Sequence, residues 1–479
     1  MSNKLISVSV NEKLSNSSDD ILVRNVPLKK KLTYAVGLFG TQIYNGIQAS
    51  STAWFWLNIM GIDNIAYSIV MLVFYNIWNA LNDPIFGWLS DNTRTRWGRR
   101  IPYMRLFSPI WFVASIFLFL PLVQAELALI IWFTVFILIF DGCYTFVAGC
   151  YNSLLGEISF DTQTRTNINT LAWVFATVGI AIAYIGPLLF KENIRAFQIF
   201  VVVGSSLGLL ALLIPSFLIK ERPIPPEETP LALGTALKGC IKNKPFMAFV
   251  GWNFCVQFTT AILIANIVFY ATFVLSVEGF QATFLVAIFL ICALPGFIIL
   301  PKLQKKWDLR KAVMFATIVM AFALVTLIFI QEYWQIIIAL GLAGFGASVT
   351  MIYPNVMMTE SADYDELTTN RRREAIFFGT NALFTKPAIG LAQAILALTL
   401  LFTGFVSDTV NPRTGEVIHN IQPATAILGI RLIMGLFTFI ALVIALIPLF
   451  FYPSGEEVEK MKKQIEEIRV RKGDTISAK

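Results

Sequence analysis

Charge is what this sequence has least of for its length. Asp, Glu, Lys and Arg make up 14% of 479 residues, where a soluble protein would carry about 25% to coat its surface. The charges are also clumped, and long stretches have none. That distribution excludes a soluble globular domain and fits a chain whose solvent is mostly lipid. Histidine is scarcer still, with His419 alone, in a connection expected to be external. The five cysteines, Cys143, Cys150, Cys240, Cys255 and Cys292, show no paired spacing, so no disulfide framework or zinc site follows. There is no glycine-rich phosphate loop, metal-ligand cluster or nucleophile–base constellation. Neither enzymatic chemistry nor a cofactor is expected.

What the chain has in abundance is apolar residues, 56% of the total, with a mean hydropathy of +0.69. A helix needs ~20 apolar residues to cross ~30 Å of hydrocarbon. Twelve such runs are predicted, at roughly 32–58, 65–90, 103–123, 127–155, 167–190, 195–219, 245–275, 281–301, 311–331, 334–358, 376–403 and 424–451. The first 31 residues are polar, and the run after them has no small-residue cleavage site, so it is read as the first span and not as a signal peptide. With both termini inside, 31 of the 37 Lys and Arg residues fall in cytoplasmic segments, against Lys191, Arg195 and Arg413 outside. The net charge of +7 is therefore a topology signal and not a nucleic-acid patch.

Arg222-Pro223-Ile224-Pro225-Pro226 cannot continue a helix and divides the chain into two halves. The expected organisation is a cytoplasmic segment 1–31, a six-helix bundle 32–219, a central loop 220–244, a second six-helix bundle 245–453 and a cytoplasmic tail 454–479. Arg96-Trp97 and Lys306-Trp307 lie 210 residues apart, and Glu157 and Glu360 lie 203 apart, which suggests parallel six-helix repeats. The tail EEVEKMKKQIEEIRVRKG reads as a solvated helix.

An ionisable group at mid-bilayer costs about 2.5–3.5 kcal/mol on insertion scales, so those present face a cavity or a partner. Asp83 and Asp141 are the two acids clearly inside spans. Lys386 is the deepest base, with Arg431 and Arg105 nearer the ends. Asn76, Asn79 and Asp83 share a helical face whose oxygens suit a small cation. The plainer reading is a helix kinked at Pro84 whose side chains satisfy freed backbone groups. Asp141 and Thr145 lie one turn apart. Lys386-Pro387 interrupts span 11 and is the natural counter-charge. Arg431 reads equally as a snorkelling anchor. Gly341, Gly344 and Gly346 suggest close helix packing, and Trp54, Trp56 and Trp132 an interfacial belt.

Three segments carry a family resemblance. NDPIFGWLSDNTRTRWGRRIPY (Asn82–Tyr103), NSLLGEISFDTQTRTN (Asn152–Asn167) and ADYDELTTNRRREAIFFGTNALFTKP (Ala362–Pro387) together resemble the motifs of the glycoside–pentoside–hexuronide:cation symporter family of the major facilitator superfamily, in that family's order and spacing. The resemblance implies an all-α carrier of twelve transmembrane helices in two pseudo-symmetric bundles, working by alternating access. It implies a coupling site of Asp83, Asn79, Thr145 and Lys386, and a substrate site that would draw on Gln42, Asp141, Asn152 and Trp173. It also implies a cytoplasmic gate from the charged residues of these motifs: Asp91, Arg94, Arg99, Arg100, Glu157, Arg165, Asp363, Asp365 and Arg372.

The departures from the family pattern shape the expectation. Asn79 stands where sodium-using melibiose permeases have a second aspartate, and Thr41-Gln42 where they have a lysine–aspartate pair. Ala148 and Trp173 replace a sugar-binding aspartate and arginine. One carboxylate on helix 2 favours proton over sodium coupling, and the substrate is not expected to be melibiose-like. The expected function is proton- or sodium-coupled symport of a small organic solute, sugar or glycoside by family default. A carrier of amphiphiles such as lysophospholipids and an uncoupled facilitator are the alternatives. A monomer in the cell membrane is expected, with lipid, solute and cation as its partners.

Overall fold

A computed structural model describes residues 26–190, 193–221, 232–277, 280–369, 373–406, 409–410, 417–418 and 421–471. Eleven helices among them are long and apolar enough to cross a membrane. The rod Leu28–Ile59 is just as long and makes the twelfth; its three leading lysines, Gln42, Asn45 and Gln48 make it more polar.

The chain divides into two units. The first comprises residues 1–240, 358–379 and 456–479. It contains α1 (Leu28–Ala53), α2 (Asn76–Asn92), α3 (Ile101–Phe119), α4 (Glu126–Ile158), α5 (Thr162–Phe190), α6 (Ile194–Leu218) and most of the short α7 (Leu233–Lys242). The second comprises residues 241–357 and 380–455. It holds α8 (Lys244–Phe269), α9 (Phe280–Ile291), α10 (Ala293–Trp307) and α11 (Leu309–Val325), with most of α12 (Tyr333–Thr369) and α13 (Ala375–Phe402), then α14 (Ala424–Leu432) and α15 (Thr438–Leu449). The tail helix α16 (Gly455–Arg471) belongs to the first unit from Glu456. Two two-residue strands, Thr409–Val410 and Val417–Ile418, pair antiparallel in the connection after α13. The prolines of the central loop, and His419, lie outside the described residues.

Packing in the first unit is aromatic and locked by buried polar contacts. Tyr44 stacks on Trp111 with ring centroids 4.3 Å apart, and its hydroxyl donates to Ser205 O at 2.7 Å. Tyr151 stacks on Tyr34 and donates to the Tyr34 carbonyl at 2.6 Å. Trp56 is fully buried against Phe133, 4.8 Å away, so it is a core residue and not an interfacial one as its position suggested. In the second unit Trp252 donates to Thr317 Oγ1 at 3.1 Å and Tyr270 to Leu327 O at 2.6 Å. A Cβ on Gly344 would lie 2.1 Å from Phe289 O, so the glycines of α12 serve close helix packing.

The helix expected at 334–358 runs on to Thr369, 37 residues in all and about 55 Å long at 1.5 Å per residue. The polar stretch ESADYDELTT continues as helix because Glu360, Asp363 and Asp365, all buried, have cationic partners there. α4 likewise extends to Ile158, beyond what ~30 Å of hydrocarbon requires. Both helices thus carry their charged ends past the apolar layer.

The start of α3 is fixed by a residue from beyond α6. The Glu221 carboxylate accepts from the backbone N–H groups of Arg99, Arg100 and Ile101 at 2.8, 2.8 and 2.7 Å. It satisfies donors a helix N-terminus cannot pair internally, and its charge complements the helix dipole. Gly98 has φ +112°, and a Cβ there would meet Glu221 at 2.6 Å. Glu221→Ala is expected to cost about 1–2 kcal/mol, a drop of roughly 1–2 °C in the unfolding midpoint of the purified protein. A midpoint indistinguishable from wild type would refute the capping role.

Candidate functional site

α2 and α4 present the buried acids to each other's helix. Asp141 is 2% exposed, and Asn82 Nδ2 donates to its Oδ2 at 2.6 Å. The Tyr75 hydroxyl is a further hydrogen-bond partner of Asp141, and Tyr75 and Tyr144 both lie within the electrostatic reach of Asp83 and Asp141. Tyr144 in turn bonds Asn45 of α1. The helices meet through rings: Phe86 stacks on Phe146 at 3.8 Å, and Trp78 lies over Gly142. Among the described residues, Asn82 Oδ1 and Thr145 Oγ1 are buried oxygens without a hydrogen-bond partner. Asp83 is buried just before Pro84, and a Cβ on Gly379 would sit 2.4 Å from the Asp83 carbonyl oxygen. Only glycine lets those two backbones approach so closely.

The other sequence-predicted residues are placed less tightly. Asn79, Gln42 and Asn152 are half-buried. The side chain of Asn76 lies outside the described residues. Trp173 is half-buried, with its indole N–H buried and without a hydrogen-bond partner among the described residues. Lys386 lies in the second unit, half-buried, one residue before the Pro387 inside α13. Arg431 donates to Ile328 O and Ile330 O at 3.0 and 2.7 Å, so it ties the end of the α11 rod to α14. Arg105 donates to Ser216 O at 2.9 Å, with its guanidinium over Phe217 and Trp97.

A second constellation lies at the charged ends of α2, α4, α5 and α12. Arg100, with no exposed surface, is 2.7 Å from Glu374, 3.1 Å from Glu157 and 4.0 Å from Asp91. Arg99 reaches Glu157 at 3.6 Å, and Asp91 accepts from the Ile376 N–H at 2.8 Å. Burial alone would lower the Arg100 pKa; Glu374, Glu157, Asp91 and Glu221 outweigh it and hold the value above normal. A Cβ on Gly156 would meet Glu374 Oε1 at 2.4 Å. Arg165 engages both oxygens of Asp363, at 2.5 and 3.4 Å, and donates from Nε to Ser159 O at 2.7 Å. α5 is positioned for this by its cap: Asp161 accepts from the N–H and hydroxyl of Thr164 at 2.8 and 2.7 Å.

Asp365 pairs with Arg373 at 2.6 Å; Arg372 lies outside the described residues. Arg94 is exposed at the rim. The tail helix closes the cluster. Val458, Met461 and Ile465 pack on Tyr364 and Leu367, while Lys462 lies 3.7 Å from Glu360 and contacts Thr162, which also donates to Glu360. Burial lowers the Lys462 pKa, with Glu360 opposing that shift. Sequence reasoning missed Glu221, Glu360, Arg373, Glu374 and Lys462 as participants; their only sequence signal is that charged residues flank the motifs.

Known proteins match this arrangement over nearly its whole length. The "Uncharacterized symporter sll1374" of Synechocystis sp. is 26% identical, over 91% of this chain and 96% of its own. The "Glucuronide carrier protein homolog" of Escherichia coli is 21% identical, over 84% and 87%. Among solved structures, a variant of the E. coli fucose:proton symporter FucP superposes with a TM-score of 0.65 at 13% identity, covering 90% of this chain and all of that one, a likeness of fold alone. The sequence model of the MFS/sugar transport proteins matches residues 33–456, and the chain belongs to that family of the major facilitator superfamily.

Proposed function

We propose that this protein is a cation-coupled symporter that moves a sugar or glycoside across the cell membrane by alternating access, with bundles 32–219 and 245–453 as its moving halves. One observation carries the reading: a sugar-transport family member buries two carboxylates, Asp83 and Asp141, inside membrane-length helices. Such groups persist in a bilayer only where a cation or a polar cavity compensates them. Asp83 takes up the coupling ion, with Asn79, Thr145 and Lys386 as its supporting groups. Gln42, Asn152 and Trp173 line the solute path, and the buried indole N–H of Trp173 offers a donor to a sugar hydroxyl. Both termini and the ionic cluster face the cytoplasm, on the side where 31 of 37 cationic residues fall. The cluster parts whenever the site opens inward, so its pairs are a gate. The work is translocation, with no bond made or broken.

Energetically the scheme is sufficient. One charge crossing ~100 mV supplies about 2.3 kcal/mol, enough for roughly fifty-fold accumulation. The test is uptake of labelled glycosides into proteoliposomes under an imposed proton or sodium gradient. Wild type should accumulate solute above the external concentration, and Asp83→Asn should reach only equality. Uphill accumulation by Asp83→Asn would overturn the coupling role. Saturable uptake of lysophosphatidylcholine with no response to any glycoside would move the substrate to the amphiphile class.

A further inference from the structure

α1 and α6 touch closely at one level and part at the next. A Cβ on Gly40 would lie 2.8 Å from Gly208 O, and one on Gly37 would lie 3.1 Å from Pro215 Cγ, so the two helices are in direct contact there. Toward Leu28 the seam opens into a groove of about 390 Å³, lined by Leu28, Lys29, Leu32, Thr33, Val36 and Ile214. From Leu28 to Val36 it runs about 12 Å along α1 at 1.5 Å per residue, close to the ~15 Å of hydrocarbon in one leaflet. Leu28, Leu32 and Ile214 are all exposed. The Thr33 hydroxyl is committed to the Lys29 carbonyl at 2.8 Å. The groove therefore offers hydrocarbon walls and one charge, the Lys29 ammonium.

Cations crowd this end of the two helices. Lys30 and Lys31 follow Lys29, and Lys220 stands exposed two residues past the end of α6. On the neighbouring α3, Arg105 donates to Ser216 O at 2.9 Å and holds its guanidinium 4.3 Å from the Phe217 ring and 5.0 Å from that of Trp97. Arg96 lies 5.0 Å from the same indole. Ile214, Phe217 and Leu218 share one exposed face of α6. Residues 26–36, 94–106 and 214–221 contain a single acid, Glu221, and its carboxylate is taken up by the N-terminus of α3. An apolar trough beside a cationic rim complements a molecule with a hydrocarbon chain and an anionic head.

We propose that the α1–α6 groove binds an anionic phospholipid of the adjacent leaflet, with one acyl chain along Leu28, Leu32, Val36 and Ile214 and the phosphate on Lys29 and its basic neighbours. Charge selects this occupant. A zwitterionic lipid brings a cation of its own to a rim that already holds several, whereas an anionic one does not. The bound lipid joins α1 to α6 where the helices themselves have parted. The site depends neither on what the protein carries nor on the ion that drives it.

The test is native mass spectrometry of the delipidated full-length protein, offered equal amounts of phosphatidylglycerol and phosphatidylcholine with identical acyl chains. Wild type should retain phosphatidylglycerol in preference by at least about tenfold. Each cation near a membrane surface is worth roughly a fivefold change in binding, so Lys29→Gln with Lys31→Gln should bring the two lipids close to parity. Ile214→Trp fills the groove without touching its charge and should lower phosphatidylglycerol binding about tenfold. The unfolding midpoint of each variant shows that it folds; should Ile214→Trp not fold, Leu32→Trp fills the groove from the α1 side. Equal retention of both lipids by wild type overturns the site, and so does wild-type binding in either the charge variant or the groove variant. Displacement of the lipid by an equal concentration of glycerol phosphate also overturns it, since the protein would then recognise a phosphate and not a lipid.

Discussion

Arg100→Ala should raise the alkylation rate of Cys150 by at least ~100-fold in a chain whose other four cysteines are replaced. Arg100 is the one cation within 4.0 Å of Glu157, Glu374 and Asp91 together among the described residues. Removing one partner from a buried ion pair costs about 3–5 kcal/mol, because the remaining charge is left uncompensated. The carboxylates can recover that cost by reaching water, and reaching water means parting the helix ends. Every 1.4 kcal/mol is a factor of ten in population, so 3 kcal/mol makes opening more than 100-fold commoner. Cys150 is suited to report it. The thiol is 2% exposed, 3.3 Å from the Ser90 hydroxyl, and lies one turn from Ser153, whose carbonyl accepts from Arg100 Nη1. An alkylation rate equal to wild type would show that Arg100 does not hold this end shut.

The Arg165–Asp363 pair should show a comparable effect and a clean signature of coupling. Both side chains are at most 1% exposed, and the guanidinium spans both carboxylate oxygens. Arg165→Met and Asp363→Asn should each destabilise by about 3–5 kcal/mol. The double variant should cost no more than the worse single one, since the penalty in each comes from the partner left behind. Chemical unfolding or Cys150 alkylation would measure the cycle. Additive single effects would mean that the two residues act separately.

Much of this architecture is written in composition, and the reason is physical. Lipid forbids unpaired backbone groups, so a run of ~20 apolar residues has almost one outcome. The predicted spans therefore fall within a few residues of the helices, save where a helix outruns its apolar stretch. α12 is the instructive case. Glu360 and Asp363 read as loop because no local rule supplies their partners, which come from Lys462 and Arg165. Pairings across 100 to 200 residues of sequence depend on where helices pack, and hydropathy is silent on that. Asn82 shows the same limit. Its helical neighbours Asn79 and Asp83 drew attention to one face of α2, while its own role comes from Asp141, 59 residues on. Periodicity finds faces, and only the fold finds what each face meets.

The first unit is interleaved with the second, and this bears on how the protein is made. Its segment 358–379 is synthesised after residues 241–357, and its segment 456–479 after the whole of the second unit. The early helices can enter the bilayer in order as they leave the ribosome. Glu360, however, is not matched by Lys462 until the final stretch has been translated. A nascent chain stalled short of Val458 would hold its six leading helices while lacking the apolar turn that seals Tyr364 and Leu367. The polar end of α12 is thus sealed only once α16 has been made and docked on it.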